Sequence, residues 1–275
     1  MLFRSYRGGR GLPKDPEEAF GCFKQAALSG YAEGQAELAR CYYTGYGVTR
    51  NPEGAAEWSR KAATQDDSDG QFIYSFCLSQ GDGVEKNDTE AVRFLRLAAD
   101  QDHAGAQALL ALRHEFGEGV AKNYQEAFRL YELAAKGGNP LGQLGLGRLL
   151  SEGKGHSKDP RRAFQCFQSA AEQGDSQAQY SLGHIYSNGT HGVEKDFSKA
   201  LWWYTRAAKQ GNSSAQHNLS LLYKRGEGVP KNAFEAYVWA SLAATEGDPQ
   251  SAAMRDAIER EMTREQVAKI GRAHV

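Results

Sequence analysis

GYGVTRN, residues 45–51, decides the fold. The string returns as GDGVEKN at 81–87, GEGVAKN at 117–123 and GEGVPKN at 226–232. Each copy sets a glycine pair before one apolar residue, a basic residue and Asn. Glycine permits the positive-φ geometry of a tight turn, and Asn is a strong helix N-cap. The string is a turn followed by a helix start, written again and again.

Working outward, Ala-Ala pairs begin at Ala26, Ala62, Ala98, Ala134, Ala170, Ala207 and Ala243, 36 residues apart except for one interval of 37. The turn-opening glycines, Gly9, Gly45, Gly81, Gly117, Gly153, Gly189 and Gly226, keep the same intervals. The extra residue lies in NGTHGVEKD (188–196), where Thr190-His191 replaces one residue. A turn is where a repeat tolerates an insertion, because helix register on either side is kept. A fixed period of this length signals stacked supersecondary units.

Each unit reads as two helices. The cap before the second helix is Asp15, Asn51, Asn87, Asn123, Asp159, Asp196 or Asn232. Pro16, Pro52 and Pro160 follow directly, at the first helical position where proline is tolerated. Glu18, Glu90, Glu126 and Glu235, three after the cap, resemble capping boxes. Gly30, Gly138, Gly174, Gly211 and Gly247 suit the left-handed C′ position, and Asp66 and Asp102 replace it in two units, where weaker caps are expected. The first helix is expected to start at Gln35, Gln71, Gln107, Gln143, Gln179 and Gln216. Three residues on stands a large residue and then a small one, such as Leu38-Ala39 or Leu182-Gly183. Three further on stands Tyr42, Leu78, His114, Leu150, Tyr186 or Tyr223, which completes an apolar stripe. No such pair buries its stripe alone, whereas a stack of them buries a continuous core.

Composition narrows function. The 275 residues carry a formal net charge of −1, so no basic excess speaks for nucleic acid. Mean hydropathy is −0.63, and the apolar runs are too short to span a membrane. No strand signal precedes the GxG turns, so they are not phosphate loops. Neither a Ser-His-Asp set nor a zinc-protease motif follows from local spacing.

The pattern AQ-x-x-LG-x-x-Y-x-x-G-x-GV-x-KD…A-x-x-W-Y-x-x-AA-x-x-G resembles the Sel-one-like repeat of the tetratricopeptide-like superfamily. It stands most fully at 178–211, AQYSLGHIYSNGTHGVEKDFSKALWWYTRAAKQG. GKGH at 153–156 lacks the Val, and His114 replaces the usual Tyr or Leu. The resemblance implies an all-α, right-handed α-solenoid of about seven two-helix repeats with a closing helix. It further implies a non-enzymatic adaptor for proteins, without a cofactor. On this reading residues 1–269 are one domain. Its units are about 1–34 (partial), 35–70, 71–105, 106–142, 143–178, 179–215 and 216–248, closed by a helix over 249–269. Met1 aligns with mid-helix opposite Glu37, so a truncated first unit is expected. Thr263–Gln266 reads as a further capping box. IGRAHV, 270–275, matches the translation of a common sequencing-adapter oligonucleotide and is read as an artefact tail.

By analogy with tetratricopeptide repeats, first helices line the concave side. Their exposed positions fall one, five, eight and nine residues after the initial Gln. In these columns Phe72, Phe76, Leu112, Phe116 and Leu144 are expected to cluster, flanked by Arg40 and Arg148, with Tyr180 and His184 further along. An apolar groove with basic edges suits a peptide or amphipathic helix of a partner protein. The alternative is that helix tilt buries these side chains between units. Trp58, Trp203 and Trp239 share one second-helix column, read as core. His184 and His217 could approach near Tyr180, but two imidazoles without a third ligand do not make a zinc site. A cysteine-rich, β-lactam-binding or hydrolysing relative would carry a Cys pair in every unit. Here Cys22, Cys41, Cys77 and Cys166 are scattered, which favours a reducing compartment.

Overall fold

The computed structural model describes residues 15–245 and 249–263. The expectations at Met1, Gly9, Gly247, the 264–266 part of the last capping string and the 270–275 tail lie outside them. The described residues hold fourteen α-helices and no strand. The order is α1 Pro16–Leu28, α2 Ala32–Thr44, α3 Pro52–Thr64, α4 Ser68–Gln80, α5 Asp88–Asp100, α6 Ala104–Phe116, α7 Tyr124–Lys136, α8 Pro140–Glu152, α9 Pro160–Glu172, α10 Ser176–Asn188, α11 Phe197–Lys209, α12 Ser213–Arg225, α13 Ala233–Ala244 and α14 Pro249–Glu261. This is an all-α repeat solenoid. The chain forms two compact units, divided in sequence between Gly145 and Leu146.

Within each unit, helices consecutive in sequence pack on one another, as α2 does on α3 and α10 on α11. First helices also meet first helices, α2 with α4 and α10 with α12. The Ala-Ala pairs explain how close the partners lie. A Cβ added at Gly34 would stand 2.6 Å from the Ala26 Cβ, and one at Gly142 2.5 Å from that of Ala134. Ala62, Ala98, Ala134, Ala170 and Ala207 are fully buried at these crossings. The large-then-small pairs work as complementary shapes. Gly183 faces the Tyr204 ring, which is 2% exposed, and Gly147 faces Phe167. Rings fill the space that a missing side chain leaves.

Two expectations need correction. First helices begin three residues before the Gln, at Ala32, Ser68, Ala104, Pro140, Ser176 and Ser213. Five are capped by Asp67, His103, Asn139, Asp175 and Asn212, each accepting from a backbone N–H at 2.7–3.0 Å, whereas Tyr31 before α2 makes no side-chain cap bond. The capping boxes do not close at Glu90 and Glu126, whose carboxylates pair with Arg93 and Arg129 one turn on. The cap N–H they would have bound is already taken. Asn87 N–H donates to the Leu78 carbonyl at 2.9 Å and Asn123 N–H to that of His114 at 2.8 Å. The same bond runs from Asn51 to Tyr42, Asp159 to Leu150, Asp196 to Tyr186 and Asn232 to Tyr223. One hydrogen bond thus ties the end of each first helix to the start of the next. The second-helix caps stand as expected, Asn123 Oδ1 accepting from Glu126 N–H at 3.0 Å.

The Gln column has a structural role of its own. Gln107, Gln179 and Gln216 donate from Nε2 to the carbonyls of Ala99, Ala171 and Ala208, at 3.1–3.2 Å. The side-chain carbonyls of Gln35, Gln71 and Gln179 receive in turn from the end of the second helix of their own repeat. Gln65 donates to Gln35 Oε1 at 2.8 Å, Gln101 to Gln71 at 2.9 Å and Gln210 to Gln179 at 2.8 Å. Buried amides satisfied on both sides make a ladder along the stack. At the Gly-to-Asp replacements, Asp66 and Asp102 adopt φ of 63° and 59°. Asp66 Oδ1 accepts from Gln71 at 2.8 Å and Gln101 at 3.1 Å, whereas Asp102 Oδ1 meets Gln107 at 3.4 Å.

Candidate functional site: the first-helix face

In the first compact unit, α2, α4 and α6 present an aromatic cluster. Phe72 and Phe76 lie one helical turn apart on α4, with ring centroids 5.0 Å apart and edge-on. Tyr43 of α2 meets Phe76 at 6.4 Å, and His103 before α6 meets Phe72 at 4.5 Å. His103 Nδ1 accepts from Ala106 N–H at 3.0 Å, so Nε2 carries the proton and donates to Asp69 Oδ1 at 3.3 Å. Asp69 also receives Arg40 Nη2 at 2.9 Å. Arg40, itself exposed, is therefore held in an ion pair, and the expected basic edge is neutralised on that side. Arg50 is likewise paired, with Asp82 at 2.7 Å.

Phe116 ends α6 and is 55% exposed. Phe72, Phe76, Leu112 and Leu144 are half-buried. The four columns are not uniformly exposed as expected. Ala36, Ala108, Ser79 and Glu115 are buried. Glu115 accepts from the Tyr131 hydroxyl at 2.8 Å. Tyr43 and His103 were absent from the expected cluster. The signal for His103 lay in its position: it occupies the cap where four other units write Asp or Asn.

In the second compact unit the face changes character. Arg148 is half-buried on α8. Tyr180 is half-buried between His184, 6.4 Å away, and Tyr204, 5.9 Å away, while His184 is exposed. The Tyr204 hydroxyl lies 3.3 Å from Ser187 Oγ and accepts from Asn218 Nδ2 at 3.4 Å. Burial pushes the Tyr204 phenol up to about 12. His217 Nδ1 lies 2.9 Å from Ser251 Oγ, so it engages α14. Among the described residues no group of three acidic, His or Cys side chains could hold a metal. The inserted His191, at φ 60°, sits with Nε2 2.9 Å from Ser151 Oγ, and burial and then His184 lower its pKa.

Phe94 and Leu130 of the tryptophan column are buried, whereas Trp58, Trp203 and Trp239 are half-buried at its margin. All four cysteines are free thiols. Cys41 and Cys77 are buried, and burial pushes both thiols up to about 11, which makes them poor nucleophiles. Cys22 and Cys166 are half-buried. Among the described residues no helix is long and apolar enough to cross a membrane.

The Sel1 repeat model matches the sequence seven times, at residues 1–31, 32–67, 68–103, 104–139, 140–175, 176–212 and 213–248. The fold is similar to that of c5321, a protective antigen of uropathogenic Escherichia coli with an SLR fold, at 34% identity and a TM-score of 0.73. That match covers 96% of this chain and 57% of the E. coli protein, so the chain spans little more than half of its length. A Sel1 repeat protein from Oxalobacter formigenes is 33% identical, with a TM-score of 0.72, over 87% of this chain and 94% of that one. A comparison with curated protein sequences finds no match. The turns, the Ala-Ala crossings and the repeat matches agree, and the chain belongs to the Sel1 repeat family, whose members generally serve as non-enzymatic scaffolds for protein–protein interaction.

Proposed function

We propose that the chain is an adaptor whose first-helix face binds a peptide or amphipathic helix of a partner protein. The observation that carries this reading is the aromatic run on consecutive first helices. Phe76 and Phe72 bridge Tyr43 and His103, and Phe116 stands 55% exposed at the end of α6. Aromatic side chains offer large contact area at low entropic cost, and anchors of this kind dominate interaction energies. Within the first compact unit the proposed groove also includes Leu112 and Leu144, and Arg148, Tyr180 and His184 offer the corresponding face of the second.

The test is affinity capture with the full chain beside the Phe76→Asp/Phe116→Asp double variant. Partners held by the wild type should be lost by the variant, at equal helicity by circular dichroism. Phe116→Asp alone, at an exposed position, serves as the folding control and should weaken capture without changing the melting curve. Capture that survives the double substitution would remove this face from the function.

A further inference from the structure

A recess between adjacent first helices and the turn that follows them is found in both compact units, at corresponding repeat positions. Both recesses have a volume of about 250 Å³. Their charges differ. Between α4 and α6 the lining cations are Lys86 and Arg113, and the lining carboxylates are Asp88 and Glu118, two against two. Lys86 Nζ stands 3.5 Å from Asp88 Oδ2.

Between α10 and α12 the corresponding lysine is Lys195, and Phe197 stands where Asp88 does. The Lys195 ammonium rests over the Phe197 ring, 4.4 Å from its centroid. The second cation, Arg225, lies 3.9 Å from Glu227, the one lining carboxylate, so cations outnumber carboxylates two to one. Neutral donors complete the wall. Asn218 uses one of its two amide hydrogens on the buried Tyr204 hydroxyl, at 3.4 Å. His184 and Asn188 form the α10 rim. Phe197, Leu221 and Leu222 supply the apolar part of the wall.

We propose that this recess is a carboxylate pocket, in which Lys195, Arg225 and Asn218 hold one carboxylate of the bound partner segment. The proposal rests on the reading that a partner segment lies along the first-helix face. One excess positive charge suits a singly charged group, and Glu227 disfavours a dianion such as phosphate. The recess between α4 and α6 is the comparison, because there Asp88 already supplies a carboxylate to the corresponding lysine, Lys86.

The experiment titrates the isotope-labelled full chain and follows the Asn218 side-chain amide and the Lys195 and Arg225 resonances by NMR. The probes are an alanine hexapeptide with a free C-terminal carboxylate, an amidated hexapeptide with one internal Glu, the amidated all-alanine peptide and inorganic phosphate. At least one acid peptide should shift these signals saturably, and the amidated all-alanine peptide should not. The acid peptide that binds assigns the carboxylate to a chain end or to a side chain. Phe197→Asp recreates the neutral recess and should weaken binding about tenfold or more, the scale of a lost hydrogen bond to a charged group. Lys195→Gln, which introduces no charge and leaves the Phe197 packing intact, should do the same. Silence with both acid peptides, a response to phosphate alone, or wild-type affinity in Lys195→Gln would overturn the pocket. The two readings fail separately. Acid-peptide binding with partner capture indifferent to Phe76 and Phe116 would sink the groove and keep the pocket, and the reverse result would sink the pocket alone.

Discussion

The two compact units write the same register with different chemistry. In the first, the first-helix face is aromatic, and three cations beside it are paired: Arg40 with Asp69, Arg50 with Asp82 and Lys86 with Asp88. In the second, the aromatic Tyr180 is only half-buried beside a wall of His, Ser and Asn, and Lys195 meets a ring in place of a carboxylate. The frame that carries both is the same. Glycine turns, cap-to-carbonyl bonds and Ala-Ala crossings recur in each. A repeat protein thus separates what must be kept from what can vary, because each unit contacts only its neighbours.

The sharpest way to break this contrast is the pair of partner experiments above. Phe76→Asp with Phe116→Asp should remove capture entirely, and Phe197→Asp should weaken acid-peptide binding about tenfold. Next in size comes a packing difference. The small column holds Ala39, Ser75 and Ala111 in the first unit but Gly147 and Gly183, before Ser220, in the second. A Cβ at Gly183 would lie 2.5 Å from the ring of the buried Tyr204. Gly183→Ala should therefore cost about 1–3 kcal/mol in urea unfolding, as overpacked cores do. A neutral result would mean that the second unit is looser than its burial suggests.

The caps should show no contrast between units. Asn123→Ala and Asn232→Ala, which remove equivalent caps, should each cost about 1 kcal/mol. Hydrogen exchange should place each loss in its own repeat and the adjacent ones. A large loss spread over all repeats would contradict nearest-neighbour behaviour. The smallest effect separates two like-looking residues within the first unit. Asp66→Gly relieves a left-handed Asp but removes acceptance from two glutamines, and should destabilise by about 0.5–1 kcal/mol. Asp102→Gly relieves the same conformation for one long contact, and should stabilise by about 0.5 kcal/mol. Melting curves of the two variants should move in opposite directions.

The frame was legible in the sequence because its signals are local. A Gly-x-Gly turn, an Asn cap and an Ala-Ala pair each impose geometry within a few residues. The Gln was visible as a column but misread as a helix start, since its partners lie about thirty residues away in Gln65, Gln101 and Gln210. The capping boxes failed for a similar reason: the cap N–H is claimed by the preceding helix, which no S-x-x-E pattern reveals. At the candidate site, Phe116 was placed correctly as exposed, whereas Ala36, Ala108, Ser79 and Glu115 were not. Exposure in a stack depends on the adjacent helix, which a within-helix period does not encode. The neutralisation of Arg40 by Asp69 joins residues 29 apart and was invisible for the same reason.

The glutamine ladder has a consequence for how such a chain lengthens. Where both bonds are made, as at Gln179, the amide donates into the preceding repeat and accepts from the second helix of its own, so a partial repeat would strand buried polar groups at the break. Growth or loss is then quantised: whole modules can be duplicated or deleted, fractions cannot. The single odd residue of this chain obeys the rule. Thr190-His191 enters at the glycine turn, the end of the helix pair remote from the ladder, where extra length touches no shared amide. One rim of the stack keeps count and the other absorbs change.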